Sequence, residues 1–376
     1  MKKLQRGYFF YKLYNKKKPF PLTGQIEITY RCNLNCIHCY CKGQEDKDRE
    51  LTTQEWKNIL DVLQKEGCLH LGLTGGDPLI RDDFLELYSY AKAKGFIITI
   101  FTNGQALTAK LINYLVKSPP ISIEITLNGI TEGTYEAITQ IKGSFFKVMQ
   151  TIKILKEKKL PLILKTNCLK QNKQEINRIK EFTEELFTSL PRNKYHFKYG
   201  SMIHPRYNRD KTPCNYRLSF KEILELRKQD PDICKQYKED LECRFPRLKR
   251  NQNFLYHCNA WQQLFFINPY GYLKFCNLSD KFSVNLKTGS FREGFYEIFP
   301  KLLYEKFKTD SKCRNCRLRP ICYNCPARAF LETGDEEAPV PYYCELAKAT
   351  YDSMITAHST LRRRRQKRKG AYRVAG

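Results

Sequence analysis

The chain has 376 residues, 41% of them hydrophobic, and a formal net charge of +27 from 66 Lys and Arg against 39 Asp and Glu. That length supports two domains and a well-buried core, and no stretch approaches the roughly 20 consecutive apolar residues that a bilayer-spanning helix needs. Sixteen cysteines without an export signal point to metal or redox chemistry in a cytoplasmic protein rather than to disulfides.

Residues 1–21 read as an N-terminal extension, whose apolar run Tyr8–Tyr14 is broken by Lys12 and lacks a small-residue cleavage site. Gln25–Thr29 alternates like a short strand and runs into a loop carrying Cys32, Cys36 and Cys39. Three closely spaced thiolates can hold three irons of a cubane cluster and leave the fourth iron open, as metal catalysis requires. The alternative is a structural zinc site with His38 as fourth ligand, but adjacent His38 and Cys39 do not easily face one tetrahedral ion.

Five more strands are expected: His70–Thr74, Ile97–Thr102, Ile121–Leu127, Leu162–Thr166 and Tyr195–Ser201. Between the first three lie two helices. One runs from Thr53 to Glu66, opens with the capping-box pattern Thr52 to Glu55 and stops at Gly67; the other runs from Asp83 to Lys94 and stops at Gly95. Alternating strands and helices imply a parallel sheet with right-handed crossovers, with the site at the strands' C-terminal edge. Gly75, Gly76 and Asp77 follow the second strand, Asn103 follows the third and Thr126 lies near the end of the fourth, all at that edge; Lys165 on the fifth strand is a weaker candidate.

Cys-x3-Cys-x2-Cys, Gly75-Gly76-Asp77 one strand later and the Asn103-Gly104 and Asn128-Gly129 strand ends together resemble the radical S-adenosylmethionine (SAM) superfamily. The resemblance implies an α/β fold, a partial (β/α)6 TIM-like barrel over residues 22–205, and a SAM-binding 4Fe-4S cluster on Cys32, Cys36 and Cys39. His38, Gly75, Gly76, Asp77, Asn103 and Thr126 would then belong to the cofactor site, with Asp77 standing where relatives have a Glu that grips the SAM amine. Reductive cleavage of SAM would yield methionine and a 5′-deoxyadenosyl radical that takes hydrogen from the substrate.

Residues 206–250 lose the alternation and read as a bridge. Beyond it come Cys258, Cys276, Cys313, Cys316, Cys322, Cys325 and Cys344, with two Cys-x2-Cys pairs. Zinc ribbons are one reading of such spacing, but Cys258, Cys276 and Cys344 would leave a second zinc site one ligand short. The pattern resembles the small, cysteine-rich SPASM domain, here over residues 251–350, which holds two auxiliary iron-sulfur clusters. By that resemblance Cys313, Cys316, Cys322 and Cys344 ligate one cluster, and Cys258, Cys276 and Cys325 hold three irons of the other, with Cys234, Cys243 or a non-cysteine group as candidates for the remaining iron. Tyr323 and Asn324 make the spacing before Cys325 one residue shorter than in relatives.

The resemblance makes a peptide or protein the leading substrate and calls for a one-electron reductant such as flavodoxin or ferredoxin. Only twenty-four residues precede the first strand, so a separate leader-binding protein or the barrel itself is expected to recognise a peptide. Asn277 beside Cys276 is a neutral amide and no base, which disfavours sulfatase maturation. Two alternatives stay open: a small-molecule, nucleotide or RNA substrate, and a non-enzymatic zinc protein binding nucleic acid. The basic charge suits an acidic partner, but lysines spread over solvated faces account for the body of the chain equally well. Residues 351–376 form a basic tail whose Arg362–Arg365, Lys367, Arg368 and Lys369 would contact any polyanion without sequence specificity.

Overall fold

The computed structural model describes residues 19–187, 196–229, 253–258 and 260–353. The N-terminal run Tyr8–Tyr14, Cys234, Cys243 and the basic block of the tail lie outside the described residues. Two compact units emerge, one within Met1–Arg217 and His257–Tyr304, the other within Leu218–Tyr256 and Glu305–Gly376.

In the first unit six parallel strands pair in chain order: β1 (Thr23–Thr29), β2 (His70–Gly75), β3 (Ile97–Thr102), β4 (Ser122–Thr126), β5 (Leu162–Asn167) and β6 (Phe197–Gly200). Helices α1 (Thr53–Lys65), α2 (Phe84–Ala93), α3 (Ala109–Lys117), α4 (Glu132–Thr139), α5 (Ser144–Glu157) and α6 (Ile176–Leu186) supply the crossovers. This is the partial α/β barrel expected from the alternation. Every expected strand is present, with no end differing by more than two residues and Ile97–Thr102 matching at both ends.

Local chemistry explains the boundaries. The Thr52 hydroxyl accepts from Glu55 N at 3.3 Å while the Glu55 carboxylate accepts from Thr52 N at 2.7 Å, a complete capping box at the start of α1. Trp56, Ile59, Leu60 and Leu63 then bury one face at helical spacing, and Gly67, with φ of +82°, turns the chain out. Along β3, Ile98, Ile100 and Thr102 are buried while Ile97, Thr99 and Phe101 on the opposite face are only half-buried.

The sheet continues past β1. Strand β7 (Leu264–Ile267) lies parallel to β1 with Ile26 opposite Ile267, and β8 (Tyr272–Lys274) and β9 (Val284–Asn285) add antiparallel edges. Cys276, two residues past β8, thus follows a strand of the same sheet whose β1 leads into the loop of the first three cysteines. The second unit holds α7 (Phe220–Gln229), α8 (Pro326–Thr333) and a helix over residues 341–353, with a short bridge from Phe254 to Lys306. Among the described residues no helix is long and apolar enough to cross a membrane.

Candidate metal centre

The site begins where β1 and β2 end. A register irregularity between Glu27 and Thr29 bends the end of β1, and β2 closes tightly against it. A Cβ on Gly75 would stand 1.9 Å from the Thr29 carbonyl oxygen, and one on Gly76 would stand 2.2 Å from that of Arg31. Only glycines admit this approach, which lets Gly76 N donate to Thr29 O at 2.8 Å and Asp77 N donate to Arg31 O at 2.9 Å. Gly75 and Gly76, expected at the cofactor site, thus let the protein's own backbone close in and fix the root of the cysteine loop.

The loop is pinned further along. Asn35 N and Ile37 N donate to the carbonyls of Thr139 and Ile138, each at 3.0 Å, and Tyr207 N donates to Tyr40 O at 3.0 Å. Cys32, Cys36 and Cys39 consequently line one cavity of about 390 Å³, together with Lys42, Glu45 and Ile141. Among the described residues no three His, Cys, Asp or Glu side chains converge closely enough to hold a single ion. A mononuclear zinc site needs that convergence, whereas a cubane spreads its thiolates over separate irons. The donor set, three thiols lining a shared cavity, fits a 4Fe-4S cluster with one iron left without a protein ligand.

His38 is not free to act as a fourth ligand through both nitrogens. Its Nε2 lies 3.1 Å from Asn167 Nδ2, its Nδ1 is buried, and burial pushes its pKa down to about 4, keeping the ring neutral. Burial pushes the Cys32 thiol up to about 12, while a hydrogen bond from Cys41 brings Cys39 down to about 7.

Asp77 sits where the resemblance places it in sequence, but its carboxylate is wholly buried and turned inward. It accepts from Leu79 N at 2.9 Å, from the Thr102 hydroxyl at 2.8 Å and from Asn103 N at 2.8 Å. Burial raises its pKa despite those donors. Asn103 in turn reaches the cysteine loop, its Nδ2 standing 3.4 Å from Cys32 Sγ and 2.8 Å from Asn33 Oδ1. Thr126 closes β4 opposite Lys165 of β5. The Lys165 ammonium sits 4.3 Å over the Phe101 ring, and burial, opposed by Glu124 and reinforced by Lys198, lowers its pKa to about 8.

The sequence reading missed Glu27. This buried carboxylate accepts from the Tyr30 and Tyr207 hydroxyls, each at 3.0 Å, and from Tyr40, the neighbour of Cys39. Burial pushes its pKa up, and the Lys274 ammonium and the three hydroxyls pull it back. Period-two alternation puts Gln25, Glu27 and Thr29 on one face of β1, so a charged residue on a buried strand was a readable signal.

Of the later cysteines, Cys258 and Cys276 belong to the first unit, the former exposed and the latter half-buried. Cys313, Cys316, Cys322, Cys325 and Cys344 belong to the second. There the Cys322 thiol, pushed up to about 12 by burial, feels Cys344, Cys313 and Cys316 electrostatically, and burial likewise raises Cys344 with Cys313 and Cys316 adding to it. Asn324 donates through its backbone to Cys322 Sγ at 3.4 Å and through Nδ2 to Cys313 Sγ at 3.5 Å. Arg319 packs 4.6 Å over the Phe307 ring and donates to the carbonyls of Phe254 and Leu255. Four thiols in mutual electrostatic range beside the half-buried Arg319 cation can carry a negatively charged cluster.

Known proteins match both regions. The radical SAM superfamily model matches residues 26–183, and the model of the SPASM iron-sulfur cluster-binding domain matches residues 258–326. The AdoMet-dependent heme synthase of Methanosarcina barkeri is 26% identical over 339 residues, spanning 84% of this chain and 94% of that protein. The mycofactocin maturase MftC of Mycolicibacterium smegmatis is 33% identical over 135 residues, 36% of this chain and 34% of its own length. Streptococcus suis SuiB bound to its precursor peptide SuiA has the same fold, with a TM-score of 0.64 at 19% identity over 89% of this chain and 79% of that one.

Proposed function

Because the chain belongs to the radical SAM superfamily and carries a SPASM domain, which together imply 4Fe-4S clusters and SAM, we propose that it cleaves SAM reductively and takes hydrogen from a peptide substrate. The observation that carries this reading is the single cavity lined by Cys32, Cys36 and Cys39 at the C-terminal edge of the sheet. Held by Cys32, Cys36 and Cys39, a 4Fe-4S cluster with SAM bound would, given one electron from a flavodoxin- or ferredoxin-like donor, supply hydrogen abstraction with release of methionine.

This chain's own residues position and shield. The three thiolates would hold the cluster, and the loop bonds from Asn35, Ile37 and Tyr207 keep their backbone fixed. His38, held neutral and tied to Asn167, adds no charge beside the cluster. Leu34 and Ile141 add apolar side chains to the cavity lining. Cys313, Cys316, Cys322 and Cys344 are our ligands for one auxiliary cluster, and Cys258 and Cys276 for the other.

The peptide assignment is supported by MftC, a maturase, and by the fold shared with peptide-bound SuiB. A second reading, a small tetrapyrrole substrate, is favoured by one observation: the alignment with the heme synthase runs nearly the whole length of both proteins. Isotope transfer separates them. The reconstituted enzyme, SAM and dithionite are incubated with deuterated candidate peptides or with deuterated Fe-coproporphyrin III, and 5′-deoxyadenosine is read by mass spectrometry. Label from a peptide supports the leading reading; label only from the porphyrin replaces it with the second.

A further inference from the structure

We propose that Asp77 and Asn103 act on the cluster rather than on SAM: Asp77 seats the turn after β3 so that the Asn103 amide donates to Cys32 Sγ and raises the cluster's reduction potential. This rests on the reading that Cys32, Cys36 and Cys39 hold the cluster.

The carboxylate expected to grip a ligand amine is buried and already accepts from three of the protein's own donors. One oxygen accepts from Leu79 N and the other from both the Thr102 hydroxyl and Asn103 N, and the side chain has no exposed surface. A Glu at this position would carry one more methylene into a closed seat, so the shorter Asp fits a positioning role. A single oxygen, Oδ2, grips both the last residue of β3 and the first residue beyond it. The turn is tightened again by Gly104 N, which donates to the Thr102 hydroxyl at 3.0 Å.

This geometry also fixes which way the Asn103 amide faces. Gln105 N donates to Asn103 Oδ1 at 2.8 Å, so the oxygen must lie on that side and the NH2 on the other. The NH2 has two protons and two acceptors, Cys32 Sγ at 3.4 Å and Asn33 Oδ1 at 2.8 Å. Leu34 N donates to the same sulfur at 3.4 Å. A thiolate ligand that receives N–H donors carries less charge onto its iron, and a reduced cluster, more negative by one electron, gains more from them than the oxidised one. The potential therefore rises, easing reduction of the cluster by its electron donor while lessening the cluster's own drive to reduce SAM.

The test is an EPR-monitored redox titration of the reconstituted full-length chain without SAM, the relevant cluster being the one whose signal changes when SAM is added afterwards. Asn103→Ala and Asn103→Asp both remove the donor at a half-buried position, and Asp77→Ala releases the turn. With iron and sulfide contents equal to wild type, each Asn103 variant is expected to lower the reduced-to-oxidised ratio at fixed poise about tenfold, some 59 mV for one electron. Asn103→Asp shifts further than Asn103→Ala because it adds a negative charge. An unmoved potential in both Asn103 variants overturns the inference, as does an Asp77→Ala protein that loses SAM affinity with its SAM-free potential intact. A wild-type chain with no SAM-responsive signal instead overturns the functional reading beneath it.

Discussion

The cysteines after β1 and those of the second unit are held by different means. The first three sit on a loop fastened to the sheet: backbone donors from Asn35, Ile37 and Asp77 run into carbonyls of Thr139, Ile138 and Arg31, and Ile138 packs with Leu169 and Ile203 in a buried cluster. In the second unit Cys313, Cys316 and Cys322 lie in successive turns, and the apolar cluster beside them is Leu318, Ile321 and Ala347, with Cys322 itself packed on it. A site fastened to a sheet exists before its metal arrives. A site made of turns gains much of its order from the metal, as small metal-bound domains do.

The largest effect separates chemistry from folding. Cys36→Ala should bring reductive SAM cleavage down to background, measured as 5′-deoxyadenosine by chromatography, while thermal melting of the metal-free protein changes by no more than a few degrees. A collapse of the metal-free melt would erase the distinction between the two regions.

Stripping iron with a strong chelator should next divide the chain by hydrogen exchange. Amides of residues 313–347 should lose most of their protection, while β1 to β5 keep theirs. Equal losses in both regions would break the comparison.

The sheet's independence of metal is sharpened by Arg81, which is buried and donates to the carbonyls of Ile28 and Leu51 at 2.9 and 3.2 Å and to both Asp83 oxygens. Arg81→Met leaves Glu50 and Asp83 without this cation and should cost about 3 kcal/mol in denaturant unfolding of the metal-free protein. A loss near zero would mean that the end of β1 is held elsewhere.

The smallest effect is pH-dependent. Lys165 has a folded pKa of about 8 against 10.5 for an ordinary lysine, so below pH 8 the fold carries a poorly solvated cation. Between those values the unfolded chain binds the proton and the folded one does not, so wild-type stability rises with pH. Lys165→Met should melt a few degrees higher at pH 7, and that advantage should shrink between pH 8 and 10.5. A difference independent of pH would contradict the burial of the charge.

The barrel was legible because its determinants are local. Alternation in segments such as Ile97–Thr102 and stop signals such as Gly67 and Gly95, both at positive φ, mark strands and helix ends without knowledge of the partner. Strand β7 was not legible: Leu264–Ile267 is a four-residue apolar run whose identity comes from pairing with β1, more than two hundred residues earlier. The cysteine loop was readable from spacing alone, but the inward turn of Asp77 was not, since Gly-Gly-Asp reads the same whether its carboxylate meets a ligand or the residues ending β3. Glu27 lay between, its strand evident and its tyrosine partners scattered over Tyr30, Tyr40 and Tyr207.

The most direct test of the account is an anaerobic assay of the reconstituted chain with SAM and dithionite. The account predicts 5′-deoxyadenosine and methionine in equal amounts, together with a SAM-dependent change in the EPR signal of a reduced 4Fe-4S cluster, both absent in Cys36→Ala. A fully iron-loaded protein that leaves SAM intact, or a Cys36→Ala protein that cleaves it as fast as wild type, would contradict the central claim.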